Sequence, residues 1–212
     1  YYNKLELADA NNSLGDLLRL TNNPKEGIKF MEKARDIFIS LKDQKGEAYT
    51  YIRLSEAYQK LKQYEESYKY AEKSLTIRKK LKTQTDISAS LNRIGDLLAL
   101  QEKYKESLEY YQDALQLAKS NNDATGKVAS LQDIGKVYIR TKRYSEADSI
   151  LRVALDIALQ IGNREQESNI YEFFTELYER QNRTEEAYNF YKRRQEIKDS
   201  VFSNQRMLQI SQ

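Results

Sequence analysis

Sliding the chain along itself by forty residues brings it into register five times with no insertion or deletion, and no other feature limits its possible folds as strongly. A small or nearly small residue recurs at Gly15, Ser55, Gly95, Gly135 and Thr175. Each is preceded by a large apolar residue (Leu14, Leu54, Ile94, Ile134, Phe174) and followed three residues later by Leu18, Tyr58, Leu98, Tyr138 or Tyr178. Twelve residues after the small position come Gly27, Ser67, Ser107, Ala147 and Ala187, each directly behind a glutamate: Glu26, Glu66, Glu106, Glu146, Glu186. Farther on stand Ile37, Ile77, Leu117, Ile157 and Ile197. A fixed period of this length marks a stacked-repeat architecture, in which one supersecondary unit cannot bury its apolar faces alone.

Within each unit the apolar residues recur at three- and four-residue steps, the period of one helical face. Two helices per unit follow. The spacing predicts the first at about 8–20, 48–61, 88–101, 128–141 and 168–181, and the second at about 24–41, 64–81, 104–120, 144–161 and 184–200. The link between them carries turn residues, as in Thr21-Asn22-Asn23-Pro24, and Pro24 suits a first helical turn, where its missing N–H costs nothing. The repeated glutamate then falls in the first turn of the second helix, where it faces the positive end of the helix dipole and free backbone N–H groups; helix capping explains it better than a functional role. The small residues fit a helix crossing, since two helices joined by a short turn must approach closely.

Composition agrees with an all-α chain and removes several functions. Seven glycines and one proline in 212 residues leave too little punctuation for a loop-rich or all-β fold. Seventeen tyrosines and no tryptophan suit thin layers in which a ring is buried while its hydroxyl reaches water. With no cysteine and no histidine, thiolate metal sites, disulfides and the commonest general base are gone. No Gly-rich phosphate loop or nucleophile–base pair is present either, so neither catalytic residues, metal ligands nor a cofactor are expected. Thirty-five basic against 32 acidic residues give a net charge of +3, too little to imply a nucleic-acid partner. Arg78-Lys79-Lys80 and Lys192-Arg193-Arg194 are basic runs near the ends of second helices, where the dipole favours cations. No apolar run approaches the roughly 18 residues of a membrane span.

This pattern resembles the tetratricopeptide repeat. Leu14-Gly15, Leu54-Ser55, Ile94-Gly95 and Ile134-Gly135 match the family's Leu-Gly pair, Tyr58, Tyr138 and Tyr178 its tyrosine, Ala147 and Ala187 its first alanine, and Ala34, Ala114 and Ala154 its second. The family's tryptophan position holds Asn11, Tyr51, Leu91, Leu131 and Tyr171, and its late proline is absent. The usual unit has 34 residues; the extra six are expected to lengthen the second helix and its exit turn, as at Leu41-Lys42-Asp43-Gln44-Lys45-Gly46. The variant is similar to the forty-residue repeats of cell-polarity adaptors, kinesin light chains and bacterial peptide-sensing regulators. The resemblance implies a right-handed superhelical solenoid of five hairpins (repeats about 8–41, 48–81, 88–121, 128–161 and 168–200, within a 1–200 solenoid), followed by a helical extension at 201–212.

The stretch from Ile197-Lys198-Asp199-Ser200-Val201-Phe202 to Ile210 also resembles the segment after the last repeat in Bacteroidetes-type signalling proteins. In those, the repeats lead into a membrane span and histidine kinase, or into a DNA-binding output domain. Ile197, Val201, Asn204 and Leu208 stand at four-, three- and four-residue steps, consistent with a coiled-coil seam and a homodimer through this helix; a helix capping the last hydrophobic face is the alternative. The first residue is Tyr1 rather than Met, and the sequence reads as part of a longer protein. A kinase-linked version would sit in the periplasm, and otherwise the chain would be cytoplasmic.

If the first helices line a concave groove, as the resemblance implies, its stripe lies three before, one after and four after each small position. That stripe is Asn12, Asp16, Arg19; Ile52, Glu56, Gln59; Asn92, Asp96, Ala99; Gln132, Lys136, Ile139; and Glu172, Glu176, Glu179. The middle row is acidic in four of five repeats, Lys136 being the exception, and the asparagines and Gln132 can hydrogen-bond a peptide backbone. The family's carboxylate clamp needs a basic set that this stripe lacks. The expected partner is therefore a protein or peptide, basic or amphipathic, bound by a regulatory module; a passive scaffold is the competing reading, and a solvated charged face the plainest one.

Overall fold

The computed structural model describes the backbone of residues 2–210 and the side chains of residues 3–83 and 86–200. Its elements are α1 (Tyr2–Leu20), α2 (Pro24–Leu41), α3 (Gln44–Lys60), α4 (Tyr64–Leu81), α5 (Gln84–Leu100), α6 (Tyr104–Ser120), α7 (Ala124–Arg140), α8 (Tyr144–Gln160), α9 (Arg164–Arg180) and α10 (Thr184–Ile210). There is no strand among the described residues. The chain divides into two compact units, Tyr1–Tyr110 and Tyr111–Gln212.

All nine turns between successive helices are built alike. Each has one left-handed residue, at Asn22, Lys42, Lys62, Lys82, Glu102, Asn122, Lys142, Gly162 and Asn182. The following N–H reaches back to the carbonyl five residues earlier, as in Asn23 to Leu18 at 2.8 Å, Asp43 to Phe38 at 2.9 Å and Asn163 to Ala158 at 3.0 Å. This is the Schellman closure, which satisfies carbonyls that a helix end leaves free. The left-handed residues stand twenty positions apart, so the backbone repeats at half the period of the sequence.

That regularity corrects the expected placement of the extra residues. The second helix of the first hairpin stops at Leu41, and Gln44 already begins the next helix; the exit turn is no longer than the turn inside the hairpin. The first helices therefore start at Gln44, Gln84, Ala124 and Arg164, four residues before the predicted 48, 88, 128 and 168. Three of these four starts carry a side-chain cap. The Asp43 side chain accepts from the N–H groups of Lys45 and Gly46, Asp123 from Gly126, and Asn163 from Gln166. At the second helices the repeated glutamate stands in the first turn as expected, and there Glu146 and Glu186 each pair with the side chain of an arginine at the preceding cap position, at 2.7 Å from Arg143 and 2.6 Å from Arg183.

In the first unit α1 packs on α2, α2 on α3, α3 on α4 and α4 on α5. The small residues lie at the crossings. A Cβ on Gly27 would stand 2.6 Å from the Gly15 carbonyl oxygen, and one on Gly15 would stand 2.8 Å from the Gly27 oxygen, so only glycine lets α1 and α2 meet this closely. In the second hairpin Ser67 Oγ donates to the Ser55 carbonyl at 2.6 Å and lies 3.1 Å from Ser55 Oγ. One cluster of core residues gathers Met31, Leu54, Ala57, Tyr51 and Tyr70, and a second gathers Ala8, Ala34 and Phe38. Leu14 and Leu17 are 41% and 56% exposed. Their counterparts Leu54 and Ala57 are buried because α2 packs on α3; no helix precedes α1 among the described residues.

In the second unit α7 packs on α8, α8 on α9 and α9 on α10. A Cβ on Gly135 would lie 2.7 Å from Leu151 Cδ2, so this small residue too marks a crossing. Phe174, Leu177, Tyr178, Leu151 and Ala154 share one core with Ile197, and Phe174 stacks on Phe190 at 4.5 Å between ring centres. Ile197 thus belongs to the core. Of the proposed seam on α10, the side chains of Val201, Asn204 and Leu208 lie outside the described residues.

Candidate functional site

The first helices of the first unit, α1, α3 and α5, carry the first nine stripe residues. Asp16, Arg19, Ile52, Glu56, Gln59, Asn92, Asp96 and Ala99 are half-buried, whereas Asn12 is buried. Asn12 Nδ2 donates to Thr50 Oγ1 at 2.8 Å across α1 and α3. It ties two hairpins together, which is a different use from presenting an amide to a peptide.

Around Asp16 and Glu56 the structure assembles a charge cluster that the stripe alone does not contain. Arg19 Nη2 lies 2.6 Å from Asp16 Oδ1 and 3.3 Å from Glu56 Oε2. Arg53 Nη1 lies 3.0 Å from the same Glu56 oxygen and 4.0 Å from Asp16 Oδ2, and its Nε and Nη2 donate to Tyr49 Oη at 3.0 and 2.8 Å. Burial works against the charge on Arg53, but the bonds to Tyr49 and Glu56 outweigh it and hold its pKa above the ordinary value. Arg93, the next repeat's counterpart of Arg53, donates from Nη2 to Gln59 Oε1. Its Nε is buried with no hydrogen-bond partner. Arg19, Arg53, Glu56, Gln59, Lys60 and Arg93 surround an open cavity of about 440 Å³.

Two things follow for the expected acidic row. Its carboxylates at 16 and 56 are already paired, so this part of the groove is not a bare anionic surface. Arg19 of the stripe pairs both of them, and Arg53, two before its small residue and outside the stripe, pairs Glu56; Arg93, in the same register as Arg53, and Lys60, five after its small residue, line the same cavity. Arginine at the same register in two consecutive repeats was the available signal. A second cavity of about 490 Å³ in this unit is lined by Tyr68, Leu98, Tyr110 and glutamates of α4 and α6. Its Tyr110 hydroxyl lies 3.2 Å from Tyr68 Oη and donates to Glu72 at 3.3 Å, and burial pushes the phenol's pKa up.

In the second unit the stripe is split. Gln132 is buried, and its Nε2 donates to the Gln166 carbonyl at 3.0 Å; like Asn12, it joins consecutive hairpins. Ile139 is fully buried. Lys136 is half-buried, while Glu172 and Glu179 are exposed. Glu172 is held by Arg194 of α10 at 2.5 Å, and Glu176 by Arg180 at 2.9 Å. The basic run at 192–194 is therefore partly spent on an intrachain pair, and Arg78 likewise turns inward to the Asp86 carbonyl and Ser90 Oγ, at 3.0 and 2.8 Å. Among the described residues no group of acidic side chains could hold a metal ion, and no helix is long and apolar enough to cross a membrane.

Comparison with known proteins bears on the same features. The family model for the tetratricopeptide repeat matches residues 6–80 and 86–160. No curated protein matches the sequence. Among solved structures, kinesin light chain repeats from Podosopora anserina superpose with a TM-score of 0.73 at 14% identity, covering 94% of this chain and 98% of that one. Aspartyl phosphate phosphatase F from Bacillus subtilis gives 0.84 at 18% identity over 94% of this chain and 52% of that one. The Rap conjugation gene regulator of plasmid pLS20, in complex with the Phr* peptide, gives 0.75 at 19% over 90% and 53%. At these identities the likeness is one of fold.

Proposed function

The chain belongs to the tetratricopeptide repeat family, and on that premise we propose that it is a protein- or peptide-binding regulatory module with no catalytic role of its own. The reading rests on one observation above the rest. Half-buried charges of both signs, Arg19, Arg53, Glu56 and Arg93, line an open cavity on the first helices of the first unit, with Asp16 paired to Arg19 beside it. Paired acids and arginines at one rim suit an amphipathic segment better than a uniformly basic one, because each incoming charge finds an opposite partner and like charges are kept apart. A peptide-display selection tests this. Wild type and an Arg53→Ala/Glu56→Ala variant should enrich different sequences; the same enrichment from both defeats the proposal.

The finer reading is a sensory role in bacterial signalling, through a histidine kinase or a DNA-binding output joined after α10. Support comes from the similar fold of a regulator whose structure is in complex with a peptide and of a signal-transduction ATPase with a tetratricopeptide repeat sensor from Pyrococcus horikoshii. Small shifts at successive hairpin interfaces add along such an array, and a ligand that prefers one curvature shifts the population toward it. Small-angle scattering with and without a selected peptide separates the two forms of the proposal. A changed profile supports a switch; an unchanged one favours a passive scaffold. The fused neighbour in the full reading frame decides compartment, periplasmic for a kinase and cytoplasmic otherwise, and cross-linking through α10 tests the homodimer.

A further inference from the structure

We propose that the cavity lined by Tyr68, Leu98 and Tyr110, between the first turns of α4 and α6 and the end of α5, receives an arginine side chain from a partner polypeptide. The cavity measures about 490 Å³. None of its lining residues belongs to the groove stripe, so this site is separate from the groove and does not depend on it.

The third hairpin departs from the others at matching register positions. In the second, Tyr58 stacks on Tyr70 with ring centres 5.3 Å apart, and in the fifth Tyr178 stacks on Phe190 at 5.5 Å. The third has Leu98 and Tyr110 at those two positions. Leucine brings no ring to cover the tyrosine, and both residues line the cavity. Hydrogen bonds to Tyr68 and Glu72 at its hydroxyl fix the Tyr110 ring there.

The charges depart in the same place. The repeated first-turn glutamate is answered in each other hairpin: Glu26 by Lys29, Glu66 by Lys69, Glu146 by Arg143 and Glu186 by Arg183. Glu106 has no ion-pair partner among the described residues. The register of Lys29 and Lys69 holds Glu109 here, and that of Arg143 and Arg183 holds Lys103, whose ammonium pairs with no carboxylate among the described residues. With Glu65, three carboxylates and one ammonium line the cavity.

What is missing is a flat group over a tyrosine and a cation beside a glutamate, and a guanidinium is both. The second unit makes this arrangement from its own residues. Arg143 lies 4.1 Å from the Tyr138 ring centre and donates to Glu146 from Nε and Nη2 at 2.9 and 2.7 Å. Arg183 lies 4.6 Å from the Tyr178 ring centre and donates to Glu186 at 2.9 and 2.6 Å. A cation within about 6 Å of an aromatic face is attracted to it, arginine more often than lysine, and the planar fork matches a carboxylate. The apolar stem of the incoming side chain covers Leu98 while its head reaches the acidic rim. Carboxylates alone fit any cation; the uncovered ring selects the flat one.

The whole chain, with its tyrosine rings labelled, is titrated by NMR with a terminally blocked Gly-Arg-Gly peptide. The Tyr68 and Tyr110 resonances should shift saturably, more weakly with Gly-Lys-Gly and not at all with Gly-Gln-Gly. Glu106→Gln, an exposed change, should weaken the arginine peptide by about two- to fivefold, the range of one solvent-exposed charge contact. Leu98→Tyr supplies the ring that the second and fifth hairpins carry and should abolish the shift, with circular dichroism checking its fold; if it does not fold, Glu106→Gln still decides. Resonances that the arginine peptide leaves unmoved overturn the proposal. So do equal binding of the lysine or glutamine peptide, unchanged affinity in Glu106→Gln, and full binding by folded Leu98→Tyr. Free L-arginine separates the sources: the rim repels its carboxylate, so it should bind more weakly than the blocked peptide. Equal or tighter binding assigns the cavity to a free metabolite and overturns the polypeptide partner.

Discussion

The joint between α2 and α3 and the joint between α4 and α5 share one backbone design and hold by opposite means. Each links consecutive hairpins through a Schellman turn, at Lys42 and at Lys82. At the first, Phe38 is 1% exposed and its ring fills the space where a Cβ on Gly46 would lie. Forty residues on, Arg78 occupies the Phe38 position, and its guanidinium bonds the Asp86 carbonyl and Ser90 Oγ. Burial lowers the Arg78 pKa, with Asp86 opposing, and the neighbouring Thr83 Oγ1 is buried without a partner. A Schellman turn sets how two helices meet, whereas the side chains at the 38 register decide how firmly. The first joint is a dry contact, and the second is a polar one that can rearrange at less cost.

The largest effect that would break the comparison is at Phe38. Phe38→Ala should cost about 3–5 kcal/mol, as large aromatic truncations in a packed core do. In urea unfolding followed by hydrogen exchange, α1 and α2 should lose protection before the rest of the first unit. If the loss is below about 1 kcal/mol, well short of a core truncation, the dry joint is not what holds the first hairpin.

Arg78 sharpens it from the other side. Arg78→Met keeps the bulk of the stem and removes a cation with only neutral hydrogen-bond partners. Replacing buried charge by apolar volume is often neutral or stabilising by about 1–4 kcal/mol, so the variant should unfold at equal or higher urea concentration. A clear destabilisation would show that the guanidinium's two bonds contribute more than its desolvation costs.

Caps differ between the two joints as well, with smaller consequences. Asp43 accepts from two N–H groups at 3.1 Å each, whereas Thr83 in the same register makes no side-chain cap bond. Asp43→Ala should cost about 1 kcal/mol and Thr83→Ala close to nothing. Thr83→Asp should recover up to about that amount, read as a rise in Tm. Equal losses for both alanine variants would show that the two caps are equivalent.

These differences also explain what could be read before the structure and what could not. The hairpin crossings were legible because small residues recur at fixed offsets, and at Gly15 and Gly27 the facing backbone leaves no room for a Cβ. Helix starts at 44, 124 and 164 were signalled by Asp43, Asp123 and Asn163 but hidden by the apolar period, which begins one turn later. The twenty-residue backbone period was invisible, because the left-handed turn position holds lysine, asparagine or glutamate in eight of nine cases and only Gly162 advertises itself. At the site, the stripe held Asp16, Arg19 and Glu56, which the structure brings into one set of ion pairs. It could not show that Asn12 and Gln132 are spent on joining hairpins, since periodicity ranks faces of one helix and says nothing of which residue the next helix covers.

The joint between α8 and α9 adds a third way of holding, through a carboxylate that bridges to the next helix. Asp148 on α8 accepts from Tyr178 Oη of α9 at 2.5 Å and from Arg152 Nε at 2.7 Å, while Arg152 Nη2 itself donates to Tyr178 Oη at 3.0 Å. Partial burial would raise the carboxyl's pKa, but the bonds from Arg152 and Tyr178 outweigh that and hold it below the usual carboxylate value. A folded-state pKa below the unfolded one means the contribution is complete above the unfolded value, near 4 for a free aspartate, and fades as pH falls through the lower folded value. The second unit should therefore lose this tie only in acid. Asp148→Asn should flatten that part of the acid dependence and cost a small amount of stability at neutral pH, because this half-exposed tie is screened by solvent. Hydrogen exchange in α9, compared at pH 6 and at about pH 3, where a free aspartate has gained most of its proton, checks it after correction for intrinsic rates. If α9 loses as much relative protection in Asp148→Asn as in wild type, the carboxylate is not what ties this joint together.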